Sequence, residues 1–434
     1  MEALKSVFRT LAVIALAGVA AFAQQPAAPS APSAVATPAS VGISAERLDR
    51  LHRGMQGFID RKEAGGIVTL IARDGKTVDV HASGFQDVAA KTPMRTDTLF
   101  RIASMTKPIT SVALMMLYEE GKLLLTDPVS KFIPSFKTSR VLDGGAEPVA
   151  ARRPINLRDL LSHRSGLTYG FLNGGPVGGG YRKNGVIDGL TVTTMTLAEA
   201  IDKLAAEPLI AHPGAAWNYS LSTDVLGRVI EVASGQPFQV FLRDRIFKPL
   251  RMGDTDFVVP ETKWSRLATV YSPDGPAGIR PMTDPESFGN TVMSPIASYK
   301  EGKTYFSGGA GLVSTARDYA RFAQMLLNGG VLDGVRLLSP KTMELMTASH
   351  TADLPPSGLI GGGAQFGLGF RVVTDVATTQ TLGSNGSFGW SGIYGTNFWV
   401  DPKERMVAIV MVQRYPGSPV AAAFQPLVYQ ALVR

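Results

Sequence analysis

The residues best suited to chemistry lie in the segment Ser104, Met105, Thr106 and Lys107, which forms an S-x-x-K pattern. Residues three apart lie on one face of a helix, so the serine hydroxyl and the lysine amine can meet. A serine is a weak nucleophile until a base takes its proton, and a buried lysine that has lost its charge can be that base. The pattern occurs once in the chain and opens an apolar helix. The alternative interpretation is a helix cap beside a surface lysine.

Two further segments carry groups that suit the same reaction. Tyr219 lies at the start of a helical pattern, and a phenol beside a cationic lysine releases and relays protons more readily. Residues 389–393 enter a strand, whose backbone N–H groups can stabilise a developing oxyanion. A packed aromatic residue and a glycine-softened turn are the alternative interpretations. The candidate residues of the second segment are Trp390, Ser391, Gly392 and Ile393.

Taken in this order, the three elements resemble the serine β-lactamase and penicillin-binding-protein superfamily. Residues 160–167, 213–214 and 308–315 carry further matches, and the resemblance runs from about Ser44 to the C-terminus. Within the superfamily the chain looks most like class C β-lactamases and, closer still, the family VIII carboxylesterases. Residues 104–110 and 386–402 carry that closer likeness.

The resemblance implies a role for each candidate residue. Ser104 corresponds to the acylated serine, Lys107 to the motif lysine, and Tyr219 to the tyrosine of a Tyr-x-Asn motif. Trp390, Ser391 and Gly392 stand in the place of Lys-Thr-Gly, and the oxyanion hole is expected from the backbone N–H groups of Ser104 and Ile393. The general base is either a neutral Lys107 or a phenolate on Tyr219, and the sequence leaves both open.

Two departures from the pattern bear on the substrate. Leu221 stands where β-lactamases carry the asparagine that holds a side-chain amide of the β-lactam. Trp390 replaces the lysine that helps to bind the β-lactam carboxylate. The resemblance therefore favours a serine hydrolase that cleaves short-chain carboxylic esters, with a β-lactamase or D,D-peptidase as the alternative. A non-catalytic relative that binds peptide or protein is disfavoured by the intact Ser104, Lys107 and Tyr219.

The elements that must position these residues predict an α/β (α+β) fold, with a sheet from both chain ends and an α-helical insertion between them. The resemblance implies that this sheet is antiparallel, β-lactamase-like and flanked by helices, with the insertion as an α-helical domain. Apolar residues recur at helical spacing from about Ser44 and over residues 109–120, 197–206, 223–234 and 316–327. Hairpins are predicted over residues 67–82 and 395–412. Both chain ends then contribute to one sheet, over about 44–100 and 345–434, with the helical part over about 101–344.

The N-terminus has the three features of a bacterial-type export signal. Lys5 and Arg9 precede an apolar run over residues 11–19, and Ala21-Phe22-Ala23 fits a signal peptidase site. We expect cleavage after Ala23, hence a secreted or periplasmic protein without a retained membrane span. Residues 24–43, rich in Pro, Ala and Ser, predict a flexible linker.

Composition excludes several other functions. The chain has no cysteine, and its five histidines lack zinc-ligand spacing, so neither a metal nor a cofactor is expected. The net charge of +7 is dispersed without basic blocks, which argues against nucleic-acid binding and leaves a small-molecule ester as the expected partner. His163 is interpreted as a packed loop histidine rather than a catalytic one. The oligomeric state is not predicted.

Overall fold

The computed structural model describes residues 35–142, 144–145, 147–355 and 357–434. The proposed signal peptide and most of the proposed linker lie outside these residues. The end of that linker differs from the expectation, because Pro38–Val41 forms a 3-10 helix in which Val41 is buried. Ile43 is also buried, and it bridges to Leu432 near the C-terminus. These two aliphatic side chains fill space in the core, which outweighs the linker-like composition around them.

One antiparallel sheet of eight strands forms the centre of the fold, which confirms the predicted sheet. Numbered along the chain, its strands are β1 (Gly66–Arg73), β2 (Lys76–Asp87), β3 (Thr92–Pro93), β4 (Ala364–Phe366), β5 (Arg371–Val373), β6 (Phe388–Ser391), β7 (Asn397–Asp401) and β8 (Met406–Val412). Their order across the sheet is β4-β5-β6-β7-β8-β1-β2-β3. The N-terminal hairpin therefore pairs with the C-terminal hairpin, through β1 and β8.

Strand β8 shows that both faces of the sheet are covered. Successive side chains of a strand point to opposite faces. Met406, Ala408, Val410 and Val412 belong to the core beneath the first and last helices. Val407, Ile409 and Met411 belong to the larger core shared with the central helices. Since every residue of β8 is buried, its continuous apolar sequence reflects two buried faces.

The helices are α1 (Ala45–Asp60), α2 (Thr106–Glu119), α3 (Leu157–Leu161), α4 (Pro176–Lys183), α5 (Leu197–Ala205), α6 (Ser222–Ser234), α7 (Phe238–Leu242), α8 (Ala316–Leu327), α9 (Pro340–Thr347), α10 (Val376–Thr379) and α11 (Val420–Gln430). Several begin at side-chain caps, as Thr315 does for α8 by accepting the Asp318 N–H at 3.1 Å. Within the described part of the chain, none of these helices combines the length and the apolarity needed to cross a membrane.

Helix α2 is the element on which the site depends. Its first twelve residues, from Thr106 to Leu117, are all buried, and it packs against α6. A helix surrounded in this way must satisfy its polar side chains inside the protein. Thr110 does so by donating to the Gly308 carbonyl at 2.8 Å. The same requirement applies to Lys107, one turn earlier.

Candidate active site

Ser104 lies in a tight turn at the start of α2. A short strand, Phe100–Arg101, pairs with Val313–Ser314 and leads into the 3-10 turn Ala103–Met105. Ala103 has a φ of +42°, in the left-handed region that residues with a Cβ rarely adopt. Such conformations concentrate at functional sites, where the surrounding structure holds them. Ser104 is partly exposed although both of its neighbours are buried, so the turn presents its hydroxyl to the adjoining cavity.

Gly392 brings the end of β6 against this turn. A Cβ built on Gly392 would lie 2.4 Å from the Ile102 carbonyl oxygen and 2.3 Å from the Thr396 hydroxyl. Only a glycine permits this approach without displacing the backbone. The contact places Ser391 and Ile393 beside the serine, and both line the same cavity as Ser104.

Lys107 is buried, with 1% of its surface exposed, and its amine is fully engaged. Its Nζ donates to the Gly309 carbonyl at 2.8 Å, to the Tyr169 hydroxyl at 2.9 Å and to Ser104 Oγ at 3.3 Å. The helical spacing of the S-x-x-K pattern therefore brings the two side chains into contact. This arrangement can transfer a proton between the serine and the lysine.

Asp224 on α6 lies beside this lysine, and the sequence analysis did not identify it. Its carboxylate accepts from Ser307 Oγ at 2.6 Å and from the Tyr305 hydroxyl at 2.8 Å. Burial raises the pKa of Asp224, while the Ser307 hydrogen bond and the positive charge of Lys107 act in the opposite direction. Asp224 thus places a buried carboxyl group within electrostatic reach of the lysine.

Tyr219 approaches from the loop before α6. The Lys107 Nζ lies 4.6 Å from the centroid of its ring, and the indole N–H of Trp390 donates to its hydroxyl at 3.1 Å. The structure therefore brings Ser104, Lys107, Tyr219 and Trp390 together. Their catalytic roles remain predictions.

Tyr169 is a second phenol at the site that the sequence analysis did not select. It follows directly after one of the matching segments, residues 160–167, and this position was the available signal. Burial raises the pKa of Tyr169 well above its ordinary value, and the negative charge of Asp224 adds to the shift. The phenol therefore keeps its proton, and its oxygen accepts the hydrogen bond from Lys107.

His163 and Leu221 lie outside the reacting groups. His163 is buried among the rings of Trp217, Tyr219 and Phe366, and its Nδ1 lies 3.1 Å from Ser220 Oγ. Burial lowers its pKa well below the usual value, an effect that the charge of Lys107 increases. Leu221 is 1% exposed and packs into the main core. It therefore presents no polar group to a substrate.

A cavity of about 490 Å³ opens above these residues. Ser104, Tyr169 and Tyr219 lie in its wall, with Lys107 behind them. The strand segment identified from the sequence contributes Trp390, Ser391, Gly392 and Ile393. Phe171, Leu172, Leu190 and Leu359 make much of the remaining wall apolar. A volume of this size suits a small organic substrate.

Comparison with known proteins places the chain in a family. The family model described as Beta-lactamase matches residues 51–431. Protein Rv1367c from Mycobacterium tuberculosis is 36% identical over 388 residues, which cover 87% of this chain and 92% of that protein. Esterase EstB from Burkholderia gladioli is 33% identical over 410 residues, which cover 91% of this chain and 99% of EstB.

A solved structure gives the same result for the fold. EstCE1, described as a hydrolase with promiscuous acyltransferase activity, superposes with a TM-score of 0.77 at 32% identity, covering 88% of this chain and 98% of EstCE1. Fold and relatives together define a serine hydrolase. The chain belongs to the serine β-lactamase-like family, and within it to the branch that resembles the family VIII esterases.

Proposed function

We propose that this protein hydrolyses short-chain carboxylic esters through an acyl-enzyme on Ser104. The observation that carries the proposal is the contact between Lys107 Nζ and Ser104 Oγ at the wall of an otherwise largely apolar cavity. The similarity to EstB and EstCE1, which are named an esterase and a hydrolase, supports the same chemistry.

The reaction proceeds in two halves. Ser104 Oγ attacks the ester carbonyl and gives its proton to the base, which is Lys107 or Tyr219. The tetrahedral intermediate collapses, its C–O bond to the alcohol breaks, and the alcohol leaves with the proton from the base. Water then attacks the acyl-enzyme, and the carboxylic acid is released as Ser104 regains its proton. The backbone N–H groups of Ser104 and Ile393 stabilise the oxyanion in both halves.

The cavity favours esters over β-lactams. Trp390 uses its only polar hydrogen on Tyr219, so it has no donor left for a β-lactam carboxylate. Leu221 is in the core and offers nothing to a side-chain amide. Each polar substrate group left unpaired costs roughly 1–3 kcal/mol, which is about tenfold to a hundredfold in rate.

The test compares kcat/KM for nitrophenyl butyrate, a cephalosporin and a D-Ala-D-Ala peptide. We expect the ester to be the best substrate. Ser104→Ala should reduce ester turnover by several orders of magnitude, and a fluorophosphonate adduct should map to the peptide that contains Ser104. An adduct on another serine would refute the assignment, and faster turnover of the cephalosporin would favour a β-lactamase.

A further inference from the structure

Asp188 is a carboxyl group in the wall of the catalytic cavity that the proposed ester hydrolysis does not use. It lies in the loop between α4 and α5 and lines the same cavity as Ser104. Its Oδ1 accepts the backbone N–H of Leu190 at 3.0 Å. Among the described residues, no lysine, arginine or histidine forms an ion pair with it. Arg371, a basic residue that lines the cavity, instead donates to the Ile360 carbonyl at 2.6 Å.

The residues that follow Asp188 pack against groups that build the site. A Cβ built on Gly189 would lie 2.4 Å from the Ser307 hydroxyl, so the backbone after Asp188 runs directly against Ser307. Ser307 is the residue that donates to Asp224. Leu190, the residue after Gly189, packs in one apolar cluster with Ala103, which precedes Ser104, and with Ala310 and Ile393. The position of Asp188 is therefore set by the same contacts that build the site.

Within the described residues, no cationic group is among the electrostatic partners of Asp188, and the amine of Lys107 is engaged by Gly309, Tyr169 and Ser104. Asp188 interacts electrostatically with four titratable groups, and none of them is cationic. They are Asp224, Tyr169, Tyr305 and Tyr394. Burial raises the pKa of Asp188 to about 6, so the group is mostly ionised at neutral pH. Asp188 is half-buried in the wall of a largely apolar cavity, where a carboxylate without a cationic partner is poorly compensated, and a cation on a bound ligand would supply that partner.

We infer that Asp188 is a specificity-determining residue that binds an ammonium group carried by the ester substrate. The inference rests on the proposed esterase function and names the class of substrate: esters with a cationic nitrogen on the acyl or the alcohol side. Phe171 and Leu172, which line the same cavity, offer apolar surface to the hydrocarbon part of such a molecule.

The test uses pairs of esters that match in size and differ in charge. One pair is nitrophenyl 6-aminohexanoate and nitrophenyl heptanoate, and the other is acetylcholine and 3,3-dimethylbutyl acetate. We expect kcat/KM for the cationic member of at least one pair to exceed that of its neutral partner. Asp188→Asn keeps an acceptor for the Leu190 N–H and removes the charge, so it should reduce that preference, measured as the ratio of the two kcat/KM values, roughly tenfold to a hundredfold.

Asp375→Asn is the matched control. Asp375 is exposed, does not line the cavity, and accepts the N–H of Ala377 two residues on, as Asp188 does for Leu190. Its substitution should leave the preference unchanged. In the wild type the preference should decrease as the pH falls through about 6, because the carboxylate becomes protonated, and this dependence should be absent in Asp188→Asn.

The outcomes separate the two proposals. If the wild type cleaves the neutral esters with no preference for either cationic partner, or if Asp188→Asn keeps the preference, the inference about Asp188 is wrong while the esterase function stands. If the wild type cleaves none of the four esters, the proposed function itself fails. A preference lost equally in Asp375→Asn would also overturn the inference, since it would reflect a general loss of negative charge.

Discussion

Trp390 stands in the place of the β-lactamase lysine. Its replacement by phenylalanine tests whether its indole N–H assists Tyr219 in the reaction. The indole donates to the Tyr219 hydroxyl at 3.1 Å, and its ring packs 5.3 Å from Tyr219 and 5.2 Å from Phe366. Phenylalanine preserves most of that packing and removes the N–H. The substitution therefore isolates one hydrogen bond to a candidate base.

The size of the effect depends on the charge of Tyr219 in the transition state. A hydrogen bond to a neutral phenol contributes about 0.5–1.5 kcal/mol, so its loss should lower kcat/KM about twofold to tenfold. If Tyr219 reacts as a phenolate, the bond is charge-assisted and worth roughly 1.5–3 kcal/mol, which predicts a loss of about tenfold to a hundredfold. A loss in the higher range therefore favours Tyr219 over Lys107 as the base.

The assay is hydrolysis of nitrophenyl butyrate by Trp390→Phe, Tyr219→Phe and the double variant, with urea unfolding to confirm that each is folded. Trp217→Phe is the control, because Trp217 stacks on the same tyrosine at 6.1 Å, while its indole N–H has no hydrogen-bond partner in the described structure. We expect Trp390→Phe to have little effect once the Tyr219 hydroxyl is absent. Equal losses in both backgrounds would refute the reasoning, since the indole would then act independently of that hydroxyl.

Three other predictions follow from the site, the fold and the N-terminus. Lys107→Ala and Tyr219→Phe should lower ester turnover by factors that do not multiply in the double variant, because both residues act on one serine; multiplicative losses would contradict a shared site. Gly392→Ala should lower both kcat/KM and the free energy of unfolding, by about 1–3 kcal/mol for the latter, because its Cβ has no room. Gly253→Ala, where a Cβ meets nothing within 4 Å, should leave activity unchanged, and equal losses in the two variants would argue against the steric account. We propose export with cleavage after Ala23, which N-terminal sequencing of the mature protein will check; an intact Met1 on the exported protein would contradict it.

The sequence determined the parts of this protein that depend on neighbours along the chain. The S-x-x-K spacing brought Ser104 and Lys107 together, because three residues make almost one helical turn. Apolar periodicity located the long helices, and the two terminal hairpins were recognisable from apolar strand runs around their turns. The ordered motifs then indicated the family and with it the fold.

Tertiary structure alone decided what surrounds the lysine and the tyrosine. Tyr169 and Gly309 lie 62 and 202 residues from Lys107, and Trp390 lies 171 residues from Tyr219, so no local pattern encodes these contacts. The packing of Val41 and Ile43 was missed for a similar reason, because a Pro- and Ala-rich composition does not show which side chains meet a core. Sequence periodicity records the face that a side chain occupies, whereas its partners depend on how distant elements pack, and that packing brings Tyr169, Asp224 and Asp188 to the site.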